Sequence, residues 1–149
     1  CDFEDIVGVA LAEFPQKQNE DLLQVKIDEL GLYWGDNILL TQLIINLLDN
    51  AFKYCKHNTV IHLEILNLNT FIKIKIFNES DQIDSKKLKN IFDKFYRFED
   101  TNDISGSGIG LAICKSIVKL HNGDIKAIPK NNGISIEIEL PITKKATLI

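Results

Sequence analysis

Three polar side chains at helical spacing are the first group with a clear chemical use. Asn46, Asn50 and Lys53 are four and seven residues apart, with Tyr54 beside them, so a helix would carry them on one face. Amide oxygens can ligate magnesium, and a lysine ammonium offsets phosphate charge, so this face suits a phosphate with its metal ion. The same pattern is also typical of the solvated stripe of an amphipathic helix.

A glycine-rich turn is the second group. Residues 106–111 read Gly-Ser-Gly-Ile-Gly-Leu and lead directly into an apolar periodic segment. Glycines let the backbone approach phosphates closely, and the free amides of a helix N-terminus attract anions. The turn follows no strand of a βαβ unit and lacks the Walker lysine, so it matches neither the dinucleotide fingerprint nor the Walker loop. A flexible turn of no special function would have the same composition.

Aromatic residues cluster just before a polar, acidic stretch at 96–105. Phe92, Phe95, Tyr96 and Phe98 lie within seven residues, and Arg97 among them is the only arginine beside sixteen lysines. Core packing accounts in part for Phe92 and Phe95. A lone arginine suggests a role that needs its planar fork of donors, although a chance residue in a lysine-biased composition is the alternative.

Hydrophobic periodicity predicts the elements that would position these groups. The first half of the chain is predicted to form a helix over 2–14, two short strands at 23–27 and 30–34, and a helix from Asp36 or Asn37 to Tyr54. A hairpin at 60–66 and 71–77, a helix over 85–95 and a mobile loop over 96–105 are predicted to follow. The last predicted elements are a helix from the glycine turn to 120 and a hairpin at 125–128 and 134–140. Lysines on one side of the first hairpin indicate a solvated sheet face. This order predicts an α/β fold with helices on one face of a mixed sheet.

In order and spacing, the three groups resemble the motifs of the ATP-binding catalytic domain of sensor histidine kinases, within the gyrase, Hsp90, histidine kinase and MutL superfamily. Residues 46–54 resemble the N box, 91–97 the F box and 106–111 the second glycine box, and Gly35-Asp36 resembles the usual entry to the N-box helix. The resemblance covers nearly the whole chain. It implies one domain over 1–149, a two-layer α/β sandwich of Bergerat type, with ATP between the N-box helix and a lid at 96–105.

The resemblance also implies a role for each site residue. Asn50 would ligate the magnesium ion of ATP, Asn46 and Lys53 would contact the phosphates or the metal shell, and Tyr54 would pack near the adenosine. Phe92 and Phe95 would seat the lid, while Arg97 would reach the phosphates or fix the lid. The remaining ATP contacts implied by motif position are Tyr96, Gly106, Ser107, Gly108, Ile109, Gly110 and Leu111.

One motif departs from the family pattern. Where the family carries a first glycine box, D-x-G-x-G, this chain reads Asn78-Glu79-Ser80-Asp81-Gln82-Ile83. The Asn78 oxygen can accept the adenine amino hydrogen and its amide can donate to a ring nitrogen, and Ile83 is placed with the ATP contacts. Because left-handed backbone costs ordinary residues about 1 to 2 kcal/mol each, the lost glycines predict a weaker or differently posed nucleotide.

The leading interpretation is transfer of the γ-phosphoryl group of magnesium-ATP to a histidine on a dimerisation domain outside this chain, in two-component signalling with a response regulator as a further partner. His57, His62 and His121 lack the S-H-[ED]-x-x-x-x-P surroundings of the family's acceptor. A hydrolytic ATPase is disfavoured, because such relatives carry a glutamate base where this chain has Asn46. The alternative is a docking or regulatory module of the same fold that has lost nucleotide binding.

Composition sets the remaining expectations. A chain of 149 residues with a net charge of −4 fits one soluble domain and argues against nucleic acid as a partner. The chain lacks an apolar run long enough to span a membrane, so no direct membrane contact is expected. Three cysteines without paired spacing indicate a reducing compartment, and the resemblance implies the cytoplasmic part of a membrane-anchored sensor. Since methionine is absent even at position 1, we expect a fragment or a processed chain, and the resemblance implies a catalytic domain of a longer kinase that is monomeric when isolated.

Overall fold

The computed structural model describes residues 1–18, 21–81, 90–92 and 110–142. Five strands in these ranges form one mixed sheet in the order β1-β2-β3-β5-β4, and helices pack on one of its faces. The strands are β1 (Leu23–Ile27), β2 (Ile61–Asn67), β3 (Phe71–Glu79), β4 (Asp124–Lys130) and β5 (Gly133–Pro141). The helices are α1 (Phe3–Leu11), α2 (Pro15–Gln18), α3 (Asn37–Tyr54) and α4 (Gly110–Leu120). The predicted α/β class is confirmed.

Helix α3 is the central element of the helical layer. The carboxylate of Asp36 caps its N-terminus by accepting from the Leu39 amide at 2.9 Å, and the helix ends at Tyr54, as the sequence predicts. One face of α3 is buried against the sheet, α1 and α4. The buried side chains are Leu40, Leu43, Ile44, Leu47, Leu48 and Ala51. Each large one contributes about 1.5 to 3 kcal/mol of gross hydrophobic stabilisation.

The sheet presents an apolar face to the helices and a charged face away from them. Strand β1 pairs with β2 in parallel, and the other neighbouring strands are antiparallel. Alternate residues of β3 are buried, which leaves its lysines on the outer face as predicted. Across the five strands, the register aligns outer-face residues of alternating charge: Lys26, Glu64, Lys75, Glu137 and Lys126. Opposite charges in neighbouring positions stabilise the pairing.

Glu137 is the most enclosed charge of this outer face, with 8% of its surface exposed. Its carboxylate pairs with the Lys73 ammonium at 2.9 Å and accepts from the Ser135 hydroxyl at 3.1 Å. Burial acts to raise the pKa of Glu137, but the hydrogen bonds from Lys73 and Ser135 and the charges of Lys73 and Lys75 outweigh it and lower the pKa below its ordinary value of 4.5.

The strand predicted at 30–34 is wrong, because that stretch has no strand structure. Gly31 adopts a left-handed conformation with φ +65°, which interrupts an extended alternation. Tyr33 takes the buried position: its ring packs on Phe3 at 5.6 Å and its hydroxyl donates to the Pro141 carbonyl at 3.1 Å. Leu32 and Trp34 are consequently exposed, at 83% and 64%.

The other predictions hold to different degrees. The first helix ends at Leu11 and not near Phe14, and Pro15 begins the short helix α2, since proline suits the first position of a helix. The helix predicted from the glycine turn to residue 120 and both hairpins are confirmed. The helix predicted over 85–95 and the loop over 96–105 lie almost wholly outside the described residues.

We predict that Gly133→Ala destabilises the protein by about 1 to 3 kcal/mol, as overpacking does. A Cβ at Gly133 would collide with the backbone carbonyl of Asn78 and press on the Cα of Glu79 at 2.8 Å, both in the facing strand. The control is Gly8→Ala in α1, where no described atom lies within 4 Å of the added carbon, and where the change should stabilise by about 0.5 to 1 kcal/mol. Urea unfolding of both variants measures this, and equal effects would contradict it.

We predict that Glu137→Gln lowers the free energy of unfolding by about 1 to 2 kcal/mol at neutral pH, because it removes a charged hydrogen-bond acceptor. A carboxyl with a lowered pKa in the folded state stabilises above its unfolded pKa, and this is lost as the pH falls through the folded pKa. The difference between wild type and variant should therefore shrink below pH 4.5. Glu139→Gln, on the same strand and face, is the control. Parallel pH curves for wild type and Glu137→Gln would refute the assignment.

Candidate nucleotide-binding site

The predicted N-box residues lie along one flank of α3, beside its buried face. Asn46, Asn50, Lys53 and Tyr54 are all partly buried, and their spacing of four, seven and eight residues aligns them along the second half of the helix. The apolar residues between them fix the rotation of α3 about its axis. The flank is therefore held at the edge of the buried face.

Asn46 has the most informative environment of the group. Its side-chain oxygen accepts from the Gln42 amide at 3.1 Å, while its side-chain nitrogen is buried and has no hydrogen-bond partner in the described structure. A buried donor without an acceptor costs about 1 to 3 kcal/mol, so such groups usually have a partner in the functional state. An anionic oxygen of a bound phosphate would supply the acceptor that Asn46 lacks.

Lys53 is held close to the helix by Asp49. The Lys53 ammonium lies 2.8 Å from the Asp49 carboxylate, one turn earlier, with the two side chains 30% and 45% exposed. This partial exposure makes the pair weak and exchangeable. The ammonium can therefore transfer from Asp49 to a phosphate that lies over the same flank.

Asn78 lies at the end of β3, close to the C-terminus of α3. It is 4% exposed and occupies the row of β3 that faces the helices, where its side-chain nitrogen donates to the Glu79 carbonyl at 3.3 Å. The Lys56 amide, just after α3, donates to the same carbonyl at 2.8 Å. This shared carbonyl brings a buried polar side chain into the neighbourhood of Asn50 and Tyr54.

The lost glycines of the degenerate motif are tolerated where the structure describes them. Ser80 stands at the position of the first glycine, and its backbone is not left-handed. Its amide donates to the Asn132 carbonyl at 3.1 Å and its hydroxyl to the Asp81 carbonyl at 3.1 Å. The expected strain is thus absent at Ser80, whereas Gln82 and Ile83 lie outside the described residues.

Helix α4 places a second group of donors beside α3. Its first residue is Gly110, at which an added Cβ would meet no described atom within 4 Å, and Leu111 is buried. The Cys114 sulfur lies 3.9 Å from the Leu43 carbonyl, and burial raises the pKa of that thiol to about 12, so it stays neutral in the contact. The free amides and the dipole at the start of α4 favour an anion.

The two helices run in opposite directions. The contacts pair residue 114 with residue 43 and residue 121 with residue 36, so positions rise along one helix as they fall along the other. The N-terminus of α4 therefore lies level with the second half of α3, where Asn46 and Asn50 stand. The first amides of α4, at Gly110 and Leu111, therefore lie level with Asn46 on α3.

The donor set fits a metal ion that arrives with a nucleotide. No cluster of three or more His, Cys, Asp or Glu side chains exists among the described residues. Magnesium prefers oxygen ligands and usually keeps waters and phosphates in its shell. The Asn50 amide oxygen is therefore suited to serve as a single protein ligand, with phosphate oxygens completing the site.

Several predicted site residues cannot be located, because they lie outside the described residues. These are Ile83, Phe95, Tyr96, Arg97, Gly106, Ser107, Gly108 and Ile109. Phe92 is described and packs, partly buried, against the core near Ile91, and its role in seating the lid stays a prediction.

Sequence reasoning missed the functions of Gln42 and Asp49. They position Asn46 and Lys53 from four residues upstream. The spacing of four residues was the available signal.

Comparisons with known proteins identify the family and the fold. The family described as histidine kinase-, DNA gyrase B- and HSP90-like ATPase matches residues 35–144. The chain is 38% identical to the sensor protein KdpD of Clostridium acetobutylicum over 138 residues, which is 89% of the chain and 15% of that protein. It is 39% identical to the sensor protein RprX of Bacteroides fragilis over 116 residues, 74% of the chain and 22% of that protein.

A third relative is the signal transduction histidine-protein kinase BaeS of Escherichia coli, 31% identical over 125 residues, 82% of the chain and 27% of that protein. The chain thus spans less than a third of the length of each of these relatives.

Solved structures share the fold at lower identity. The mycobacterial sensor histidine kinase MprB superposes with a TM-score of 0.84 at 22% identity, covering 95% of this chain and 96% of that one. The catalytic domain of histidine kinase ThkA gives a TM-score of 0.80 at 24% identity and 95% coverage of both chains. The chain belongs to the histidine kinase-, DNA gyrase B- and HSP90-like ATPase family, as an ATP-binding catalytic domain of the sensor histidine kinase type.

Proposed function

We propose that this chain binds ATP with a magnesium ion along the flank of α3 and the N-terminus of α4, and presents the γ-phosphoryl group to a histidine on a dimerisation domain outside the chain. The observation that carries the proposal is the buried amide nitrogen of Asn46, one helical turn before Asn50, for which the described residues offer no acceptor. A phosphate oxygen at this flank satisfies that donor.

Each residue contributes positioning or charge neutralisation. Asn46 donates to a phosphate oxygen, and Asn50 offers its amide oxygen to the metal ion. The Lys53 ammonium leaves the Asp49 carboxylate and pairs with a phosphate. When bound, magnesium supplies neutralisation of the phosphate charge. Phosphoryl transfer depends mainly on such positioning and charge stabilisation, so the site does not need a general base of its own.

Adenine recognition is assigned to Asn78. Its side chain is buried at the end of β3, and an asparagine amide offers an acceptor and a donor that match the amino group and a ring nitrogen of adenine. Its present bond to the Glu79 carbonyl, at 3.3 Å, is long and therefore readily exchanged.

The relatives named as sensor proteins and as a histidine-protein kinase support a place in two-component signalling, with a response regulator as the final phosphoryl acceptor. None of the described helices is long and apolar enough to cross a membrane. We place the domain on the cytoplasmic side of a membrane-anchored sensor, as a monomeric unit when isolated.

We predict that a non-hydrolysable ATP analogue binds the domain in a magnesium-dependent manner, and that Asn50→Ala weakens this binding about tenfold, equivalent to about 1.4 kcal/mol. The physical reason is the loss of an oxygen ligand to the metal ion. Isothermal titration calorimetry with and without magnesium measures it. Asn37→Ala is the matched control, since Asn37 is an exposed asparagine at the other end of the same helix.

The possible results distinguish a kinase catalytic domain from a docking module of the same fold. Loss of the magnesium effect in Asn50→Ala, with Asn37→Ala unchanged, supports the kinase proposal. No binding by wild type at millimolar nucleotide would overturn it and leave a docking module of the same fold. Equal affinities for wild type and Asn50→Ala would remove Asn50 from the metal site.

We predict that Asn78→Leu weakens binding of the ATP analogue about tenfold but leaves binding of the GTP analogue unchanged within about twofold. Leucine has a similar size but neither accepts from nor donates to adenine. The ratio of the two affinities is an internal control for folding, because a collapsed site would lose both nucleotides. An unchanged ratio would show that adenine is recognised elsewhere.

A further inference from the structure

The ring of His121 joins the two helices of the site at the end opposite to the nucleotide. Its Nδ1 lies 2.8 Å from the Ile117 carbonyl, within the last turn of α4. Its Nε2 accepts from the backbone amide of Asp36, the residue that caps α3, at 3.1 Å. Residues 85 positions apart in the sequence are thereby connected by one side chain.

These two contacts fix the protonation of the ring. The Ile117 carbonyl can only accept, so Nδ1 must carry a hydrogen, and the Asp36 amide can only donate, so Nε2 must be bare. This arrangement of hydrogens is that of the Nδ1–H tautomer. A doubly protonated ring would place an N–H against the N–H of Asp36.

The segments on both sides of this bridge have little freedom to move. An added Cβ at Gly35 would approach the Tyr33 ring at 2.8 Å and the Leu40 side chain at 2.9 Å. After His121, Asn122 is left-handed with φ 60°, and the Gly123 amide donates to the Val118 carbonyl at 2.9 Å. The residues next to both ends of the bridge are therefore closely packed or hydrogen-bonded to their own helix.

We propose that His121 is a positioning residue that sets the placement of α4 against α3, and so fixes where the amides of Gly110 and Leu111 stand relative to Asn46. The two helices pack against each other along their buried faces, where the Cys114 sulfur meets the Leu43 carbonyl, and the bridge adds a polar contact between their ends at residues 36 and 121. Apolar packing is not directional, whereas a hydrogen bond is, so the bridge fixes the last turn of α4 against the residue that caps α3. The consequence for nucleotide affinity rests on the proposed function, whereas the helix placement does not.

Two substitutions separate this role from simple capping of α4. His121→Asn places an amide donor near the position of Nδ1, so it can still cap Ile117, but the side chain is too short to reach Asp36. His121→Gln extends an amide oxygen toward the position of Nε2 and can still accept from Asp36. His62→Gln, on the outer face of the sheet, is the matched control.

The experiment records nitrogen-15 spectra of the free domain and then titrates it with the magnesium complex of the ATP analogue. In wild type we expect a protonated Nδ1 and a bare Nε2. In His121→Asn we expect shifted amide signals at Gly110 and Leu111, about 15 Å along α4 from the mutation, and about threefold to tenfold weaker binding. His121→Gln should restore both readouts, and His62→Gln should change neither.

A protonated Nε2, or amide shifts in His121→Asn confined to the neighbourhood of Asp36 and Ile117, would overturn the proposal. So would a Gln variant that behaves like the Asn variant. If wild type binds no nucleotide, the proposed function fails, while the amide shifts of the free domain still decide the role of His121.

Discussion

The burial of one face of α3 is the constraint on which the rest of the structure depends. Six apolar side chains lie between the sheet, α1 and α4, so the helix can neither rotate nor slide without exposing them. The polar residues of the same helix are therefore held in fixed positions as well. The Asn46 amide nitrogen stays buried, with no acceptor among residues 1–18, 21–81, 90–92 and 110–142, because burial of its apolar neighbours stabilises the helix far more than this one group costs.

The sequence was sufficient to predict those helices and strands whose limits are set by a short periodic pattern of apolar residues. The limits of α3 follow from the Asp36 cap and the apolar spacing, and the hairpins follow from alternation with turn residues between the runs. It was insufficient at 30–34, where the left-handed Gly31 let Tyr33 take the buried position in place of its neighbours. Alternation alone cannot show which of two adjacent residues a tertiary contact will bury.

The candidate site was predicted in its residue types but not in its internal contacts. Asn46 and Asn50 could be selected from spacing, while the environment of Asn78 depends on a register set by Gly133 in a strand 55 residues away in sequence. The site is built from neutral amides and helix termini, with few described carboxylates. Such a site holds little charge of its own, so it suits a ligand that brings phosphate and metal together.

The parallel pairing of β1 with β2 has a consequence for how the domain assembles. Helix α3 lies in the connection between these two strands, whereas β2 and β3 are joined by residues 68–70 and β4 and β5 by residues 131–132. Closing the long connection costs more chain entropy than closing either short turn. A folding chain can therefore form both hairpins locally, whereas the pairing of β1 with β2 and of β3 with β5 requires the long connections to close.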